Sequence, residues 1–201
     1  MQNKIALIVV HEIYGVNNHM QDVIARFSSP QIDVFCPNFL QLDAPFHYDE
    51  EAKAYSHFMQ NVGFHYGKEQ VEEMVTKLSK DYEYIGLIGF SIGATIAWLC
   101  SDNPKVHFII GCYGSRIRDY LQVKPTCPTL LIFPGTEASF SVSSLITALQ
   151  KQNNPLLQIE QLPGEHGFLN SYTTKYNVPS TKQAYNEIDS FLLRNLPKNI
   201  Y

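Results

Sequence analysis

The sequence predicts a single α/β domain over residues 1–201, with a mostly parallel sheet of about six strands flanked by helices. Short apolar runs rich in β-branched residues recur along the chain, and segments with helical spacing lie between them. With 201 residues, 45% hydrophobic and 17% charged, the chain is long and apolar enough to bury one sizeable core. Because alternating strands and helices require crossover connections, we expect functional residues to follow the carboxyl ends of strands.

Six runs are candidate strands, each too short for a typical helix and most of them closed by Gly, Pro or Asn. They are Ile5 to Val10, Asp33 to Cys36, Tyr84 to Phe90, Phe108 to Tyr113, Thr129 to Phe133 and Leu156 to Leu162. Helical spacing is clearest around Met20 to Phe27, Val71 to Leu78 and Tyr185 to Leu192. The stretch from Phe39 to Tyr66 is the least regular, and we expect part of it to form a lid over a site.

Composition and charge argue against several classes of protein. A net charge of -4 without a basic block makes nucleic acid an unlikely partner. No apolar run approaches the roughly 20 residues of a membrane span, and no signal peptide is evident, so we expect a soluble cytoplasmic protein without a membrane partner. No metal-ligand spacing or nucleotide-binding glycine loop appears, which predicts no metal and no cofactor. We expect the four cysteines to be reduced.

The strongest chemical signal is the segment Gly89-Phe90-Ser91-Ile92-Gly93, which matches G-x-S-x-G. It follows a candidate strand and precedes the apolar segment Ala94 to Leu99, which suits a helix. A nucleophilic serine on such a turn has a strained backbone, and flanking glycines avoid collisions of Cβ atoms. We therefore predict that Ser91 is a nucleophile; the competing interpretation is a glycine-rich turn with a capping serine.

A serine hydroxyl needs a neighbouring base, and His166 is the best candidate. It follows the last candidate strand, in Pro163-Gly164-Glu165-His166-Gly167-Phe168, and so preserves the order serine, acid, histidine. The orienting acid should follow the strand between the two. Glu137 is the first acid after Thr129 to Phe133, and Asp119, after the preceding strand, is the alternative.

The segment His11-Glu12-Ile13-Tyr14-Gly15 follows the first candidate strand and therefore belongs to the same sheet edge. The backbone N–H groups of Ile13 and Ile92 are candidates for an oxyanion hole, because Ile92 directly follows the proposed nucleophile. Glu12 would then point at the serine. The alternative is that these residues only form a turn and cap the next helix.

Together these motifs resemble the dienelactone hydrolase family of α/β-hydrolases over nearly the whole chain. The resemblance implies an α/β-hydrolase fold, hydrolysis of small-molecule esters or lactones through an acyl-enzyme, and a contact between Glu12 and the nucleophile in the resting enzyme. We expect Glu12, Tyr14 and Tyr113 to bind substrate. The matching segments are His11 to Asn17, Cys36-Pro37-Asn38, Gly89 to Gly93, Tyr113-Gly114 and Glu165 to Phe168.

The chain departs from the family pattern in three places. Dienelactone-cleaving members have cysteine where this chain has Ser91, an aspartate at the position of Ala138, and an arginine that grips a substrate carboxylate at the position of Asn170. The last difference argues against a dienelactone substrate. The chain also begins at an internal strand of the family's sheet, so we expect one edge to be trimmed by two strands.

Two other interpretations stay open at this stage. The motif set also suits a hydrolase of another acyl substrate, such as a thioester or small peptide. Because Ala138 replaces the usual acid, the domain could instead be a binding module that kept the pocket and lost turnover. The sequence does not specify an oligomeric state.

Overall fold

A six-stranded sheet forms the centre of the protein in the computed structural model, which describes residues 5–197. The strands are β1 (Ile5–Val10), β2 (Ile32–Phe35), β3 (Tyr84–Phe90), β4 (Phe108–Cys112), β5 (Thr129–Pro134) and β6 (Leu157–Leu162). They are all parallel and lie in the order β2-β1-β3-β4-β5-β6. The predicted α/β fold is confirmed, and each predicted strand agrees with an observed one to within one residue at either end.

Residues 5–197 contain six α-helices, and short polar side chains mark where several of them begin. The helices are α1 (Asn18–Phe27), α2 (Glu51–Asn61), α3 (Gly63–Leu78), α4 (Ile92–Leu99), α5 (Val142–Gln150) and α6 (Val178–Asn195). The Asn17 side chain accepts a hydrogen bond from the N–H of Met20 at 3.2 Å, and Asn177 caps α6 through the N–H of Ser180 at 3.1 Å. These caps fix the points at which the chain leaves the sheet edge.

The helices cover both faces of the sheet, as a parallel sheet requires. Alternate residues of β1 separate the two layers: Ile5, Leu7 and Val9 pack with α1 and α6. The even-numbered positions of β1 pack with α2, α3 and α4. Helix α5 packs with β5 and Trp98 in a third cluster. The carboxyl ends of the strands therefore remain the place where polar side chains can meet.

The stretch from Phe39 to Tyr66 is more regular than expected. Only residues 39–47 are irregular; a 3-10 turn at Tyr48–Glu50 leads into α2, and α3 begins at Gly63. Helix α2 buries only Ala54 and Phe58, so its apolar periodicity is weak. The prediction of an irregular segment is therefore wrong beyond residue 47.

A buried histidine ties the irregular segment to the end of β1. His11 is 1% exposed, and its Nε2 accepts a hydrogen bond from the N–H of Phe39 at 3.0 Å. Nδ1 therefore carries the proton and donates it to the carbonyl oxygen of Glu12 at 2.7 Å. Burial lowers the pKa of His11 from 6.5 to about 4. The imidazole is thus held neutral in one tautomer.

We expect the protein to lose stability on acidification. In the unfolded chain His11 takes up a proton below about pH 6.5, whereas in the folded chain it does so only near pH 4. The unfolded state therefore binds more protons between these pH values, and the free energy of unfolding falls as the pH falls through this window. The loss from His11 alone is about 3 kcal/mol. Burial also lowers the pKa of His19, which adds in the same direction. Urea unfolding at about pH 7 and about pH 4.5 measures the difference.

His11→Gln is the diagnostic variant for this acid sensitivity, and His65→Gln is its matched control. His65 lies on α3 with its side chain 90% exposed and pairs with Glu69 at 3.2 Å. We expect His11→Gln to be less stable at neutral pH but to lose less stability on acidification than the wild type. An acid sensitivity of unfolding that His11→Gln leaves unchanged would contradict the role of His11.

Candidate active site

Ser91 occupies a strained turn between β3 and α4. Its backbone has φ +55° and ψ -115°, in a region that non-glycine residues rarely adopt. The N–H of Ser91 donates to the carbonyl oxygen of Cys112 at 3.0 Å, which holds the turn against β4. The side chain is half-buried and lies at the carboxyl end of the sheet. This turn presents the hydroxyl at the edge where the strands end.

The two flanking glycines are required by close backbone contacts. A Cβ atom on Gly93 would collide with the carbonyl group of Val10, and one on Gly89 would collide with the backbone of Gly93. Helix α4 therefore starts very close to the end of β1. The glycines of the G-x-S-x-G motif have a steric reason in this chain, as the sequence predicted.

His166 lies next to Ser91 although 75 residues separate them in the sequence. The turn after β6 places His166 Nε2 2.8 Å from Ser91 Oγ. The imidazole also packs against the ring of Tyr113, with centroids 5.1 Å apart. The histidine side chain is 29% exposed, so the pair is open to solvent on one side.

Glu137 completes a chain of two hydrogen bonds. Its Oε1 lies 2.6 Å from His166 Nδ1, and its side chain is only 7% exposed. Because the carboxylate accepts a hydrogen bond from the N–H at Nδ1, Nε2 carries no proton and can accept the hydroxyl proton of Ser91. Asp119, the alternative acid, is instead 2.8 Å from Arg116 and 40% exposed. The structure thus brings together Ser91, His166 and Glu137.

The backbone N–H groups of Ile13 and Ile92 are the two predicted donors of the oxyanion hole. Within residues 5–197, neither group donates a hydrogen bond to another residue. Ile92 is the first residue of α4, where backbone N–H groups have no partner within the helix. Both isoleucine side chains are buried in the same apolar cluster, which fixes their backbones. The pair has the hydrogen-bonding capacity that an oxyanion hole needs.

Glu12 is not hydrogen-bonded to Ser91, whereas the resemblance implied a contact between them. The carboxylate is 3% exposed and accepts hydrogen bonds from the Tyr113 hydroxyl at 3.0 Å and from Asn170 Nδ2 at 3.3 Å. Each of these donors engages a different oxygen of Glu12. Ser91 Oγ is hydrogen-bonded to His166, so Ser91 and Glu12 have different hydrogen-bond partners.

Tyr113 and Glu12, two of the three residues expected to bind substrate, are buried and hydrogen-bonded to each other. Tyr113 is completely buried, and burial together with the carboxylate of Glu12 raises its pKa well above the usual value. The Tyr113 ring packs against His166, and its hydroxyl donates a hydrogen bond to Glu12. Tyr14 is half-buried and makes an edge-on contact with Tyr48, with centroids 4.8 Å apart. Of the three, Tyr14 has the most accessible side chain.

Two residues of this network were not among the predicted site residues. The Tyr48 hydroxyl lies 3.0 Å from Asn170 Nδ2, so the segment that follows Phe39 contacts this network. Asn170 was noted only as a replacement for an arginine. Tyr48 gave no signal except its place in an aromatic-rich stretch, because its partner is 122 residues away.

The described residues contain no group that resembles a metal centre. Between residues 5 and 197, no cluster of three or more His, Cys, Asp or Glu side chains could hold a metal ion.

Over residues 5–197, no helix has both the length and the apolar character needed to cross a membrane. The four cysteines are free thiols, and burial raises the pKa of Cys36 to about 12 and that of Cys127 to about 11.

Comparison with known proteins decides the family. A sequence model of the dienelactone hydrolase family matches residues 1–196. The chain belongs to the dienelactone hydrolase family. Membership in this family identifies the protein as a hydrolase that acts on ester bonds.

Individual relatives agree with this assignment to the dienelactone hydrolase family. The chain is 39% identical over 171 residues to YczH of Bacillus subtilis, covering 85% of this chain and 84% of that protein, which is named as uncharacterized. It is 24% identical over 232 residues to a Saccharolobus solfataricus protein assigned by name as a carboxymethylenebutenolidase, covering 95% and 90%. A crystal structure of a Klebsiella pneumoniae protein assigned as a dienelactone hydrolase superposes with a TM-score of 0.79 at 20% identity, covering 94% and 86%, and shows the same fold.

Proposed function

We propose that this member of the dienelactone hydrolase family is a serine hydrolase that cleaves a carboxylic ester or lactone of a small molecule through an acyl-enzyme. The observation that carries the proposal is the chain of hydrogen bonds from Ser91 Oγ through His166 to Glu137, with distances of 2.8 and 2.6 Å. A hydroxyl, an imidazole and a carboxylate in this order form a catalytic triad, whatever the fold that holds them.

In the acylation step, Ser91 Oγ attacks the ester carbonyl carbon while its proton moves to His166 Nε2. The imidazolium that forms is stabilised by the negative charge of Glu137, which is largely shielded from solvent. His166 then gives the proton to the departing alkoxide oxygen, so the alcohol leaves and an acyl-serine remains. Water attacks this ester in the second step, with His166 again accepting and returning a proton.

Negative charge that develops on the carbonyl oxygen needs donors that are already in place. The free N–H groups of Ile13 and Ile92 are proposed for this role, since they flank the end of β1 and the start of α4. The close approach of Gly93 to Val10 brings these two segments together. The hole is therefore built from backbone positions that the packing of the sheet and α4 fixes.

The argument for an inactive binding module is weakened by the position of Glu137. That interpretation depended on Ala138, which stands where the family usually has an acid. Glu137 is one residue earlier, but its longer side chain reaches His166 Nδ1. A carboxylate is therefore available to the imidazole, and the observation that favoured the binding module no longer does so.

Labelling with a fluorophosphonate probe tests the proposal directly. We expect rapid, stoichiometric labelling of Ser91, because only a serine activated by a base reacts quickly with such a probe. Ser91→Ala should abolish the label, and Ser143→Ala, a change at an exposed serine on α5, should keep it. A panel of p-nitrophenyl esters with different acyl lengths then defines the substrate range. A wild-type protein that is neither labelled nor active on any of these esters would overturn the proposal.

A further inference from the structure

Glu12 is a buried carboxylate without a counter-ion. It is 3% exposed, and its two hydrogen-bond donors, the hydroxyl of Tyr113 and the amide of Asn170, are both neutral. No Lys, Arg or His of residues 5–197 forms an ion pair with it. Charged carboxylates are rarely buried without a cation, since their desolvation is costly. Both oxygens of Glu12 thus accept hydrogen bonds, as those of a carboxylate do, and no cationic side chain among residues 5–197 pairs with them.

Two tyrosine rings are connected to Glu12 through Asn170. Tyr14 directly follows Ile13, and its ring contacts that of Tyr48, whose hydroxyl donates to Asn170 Oδ1 at 3.3 Å. Burial, and then the charges of nearby carboxylates, raise the pKa of Tyr14, so the phenol stays neutral. The faces of neutral aromatic rings attract cations, and quaternary ammonium groups are bound in this way in many proteins.

Other acidic groups surround the same rings. Glu51 and Glu12 both act on Tyr14 electrostatically, and Asp22 accepts a hydrogen bond from the Tyr172 hydroxyl at 2.9 Å. No basic side chain acts on Tyr14 or Tyr48 in the same way among the residues described. The ionisable side chains that act on these two rings, apart from other tyrosines, are therefore carboxylates.

The location connects these groups to the reaction. Glu12 and Tyr14 are the neighbours of Ile13, the proposed oxyanion donor, and Asn170 lies four residues after His166. The Tyr113 ring, which donates to Glu12 through its hydroxyl, packs on the His166 imidazole at 5.1 Å. A substrate whose carbonyl group sits at Ser91 would thus place a nearby substituent beside the rings of Tyr14 and Tyr48.

From these contacts, we propose that the substrate is an ester carrying an ammonium or quaternary ammonium group close to the scissile bond, held by the rings of Tyr14 and Tyr48 and by the charge of Glu12. This inference rests on the proposed serine hydrolase activity. The carboxylate attracts the cation without touching it. Such an attraction is effective over a distance because a buried charge is poorly screened by salt. An anionic substituent is repelled by the same charge.

A pair of esters that differ only in charge measures this preference. Acetylcholine and 3,3-dimethylbutyl acetate have nearly the same shape, with a quaternary nitrogen in one and a carbon in the other. We expect kcat/KM of the wild-type protein to be higher for acetylcholine by about tenfold or more. A second pair, the p-nitrophenyl esters of 4-(trimethylammonio)butyrate and 5,5-dimethylhexanoate, places the charge on the acyl side and so shows which side of the bond the rings receive.

Glu12→Gln separates charge from shape, since glutamine has the size of glutamate and no charge. We expect the ratio of kcat/KM between the charged and neutral esters to fall several-fold in this variant, while the rings of Tyr14 and Tyr48 retain part of the preference. Glu69→Gln is the matched control: its side chain on α3 is 55% exposed and pairs with His65, and it should keep the wild-type ratio. Labelling of Ser91 by the fluorophosphonate probe verifies that each variant retains an active site.

The outcomes distinguish this inference from the activity on which it depends. Equal kcat/KM for both members of each pair in the wild-type protein, with normal labelling of Ser91, overturns the cation preference alone and requires no variant. A wild-type preference that Glu12→Gln leaves unchanged overturns the role of Glu12. Failure to label Ser91 together with no hydrolysis of either pair overturns the proposed function and this inference with it.

Discussion

Ser91→Ala is expected to lower kcat for ester hydrolysis by about 10⁴- to 10⁶-fold, the usual result of losing a triad member. The change removes the nucleophilic oxygen that lies 2.8 Å from His166 Nε2, while alanine keeps the Cβ atom and adds no bulk at the turn. Steady-state hydrolysis of a p-nitrophenyl ester, with thermal unfolding of the same preparation, measures both effects. We expect a melting temperature close to that of the wild type.

Residual activity is the sensitive part of this experiment. A variant that kept more than about a tenth of wild-type activity would be far above the expected range, and Ser91 would then not be the nucleophile. A large decrease in melting temperature would instead mean that the loss of activity comes from a damaged fold. The strained turn is held against β4 by the hydrogen bond of the Ser91 N–H.

Glu137→Gln is expected to lower kcat by roughly 10²- to 10⁴-fold. Glutamine keeps the shape but loses the negative charge that stabilises the imidazolium, and its amide group can present a donor where His166 Nδ1 needs an acceptor. The measurement is kcat for a p-nitrophenyl ester at saturating concentration, since the interaction with the imidazolium is strongest in the transition state.

Asp119→Asn provides the matched control for the acid. Asp119 is paired with Arg116 and is 40% exposed, so its charge should matter little to turnover. We expect kcat to stay within about twofold of the wild-type value, as for surface substitutions away from the site. If Asp119→Asn lowered kcat and Glu137→Gln did not, the acid of the triad would have to be assigned to the turn after β4.

The sheet could be predicted in detail because its strands carry strong local signals. Residues of β1 are all buried, so the run Ile5–Val10 is continuously apolar, and Gly, Pro or Asn residues close most of the runs. Helix α2 lacked such a signal, since it buries little. Helix α5 buries Val142, Leu145 and Leu149, but it is short and follows a serine-rich turn, and it was not among the predicted helices.

The predicted site residues came from position as well as chemistry. Ser91, Glu137 and His166 each follow a strand, and the ends of parallel strands meet at one edge of the sheet. The distances among them are consistent with the predicted triad, whose catalytic roles remain to be tested by the variants above. Glycine spacing alone would not have located Glu137, because the family pattern points to the next residue.

The environment of Glu12 could not be predicted from the sequence. Its partners Tyr113 and Asn170 are 101 and 158 residues away, and no local pattern indicates that their side chains meet. The resemblance suggested a contact with the nucleophile, but Glu12 is bound to two neutral donors instead. Contacts of this kind depend on the packing of three separate turns, which periodicity and motif spacing do not describe.

The backbone of Ser91 bears on how evolution maintains this position. A residue held at φ +55° and ψ -115° destabilises the folded chain by about 1–3 kcal/mol, and glycine would remove most of that penalty. A lineage released from selection for catalysis would therefore gain stability by replacing the serine with glycine. The serine hydroxyl is therefore present at a thermodynamic disadvantage that the strained turn imposes on the folded chain.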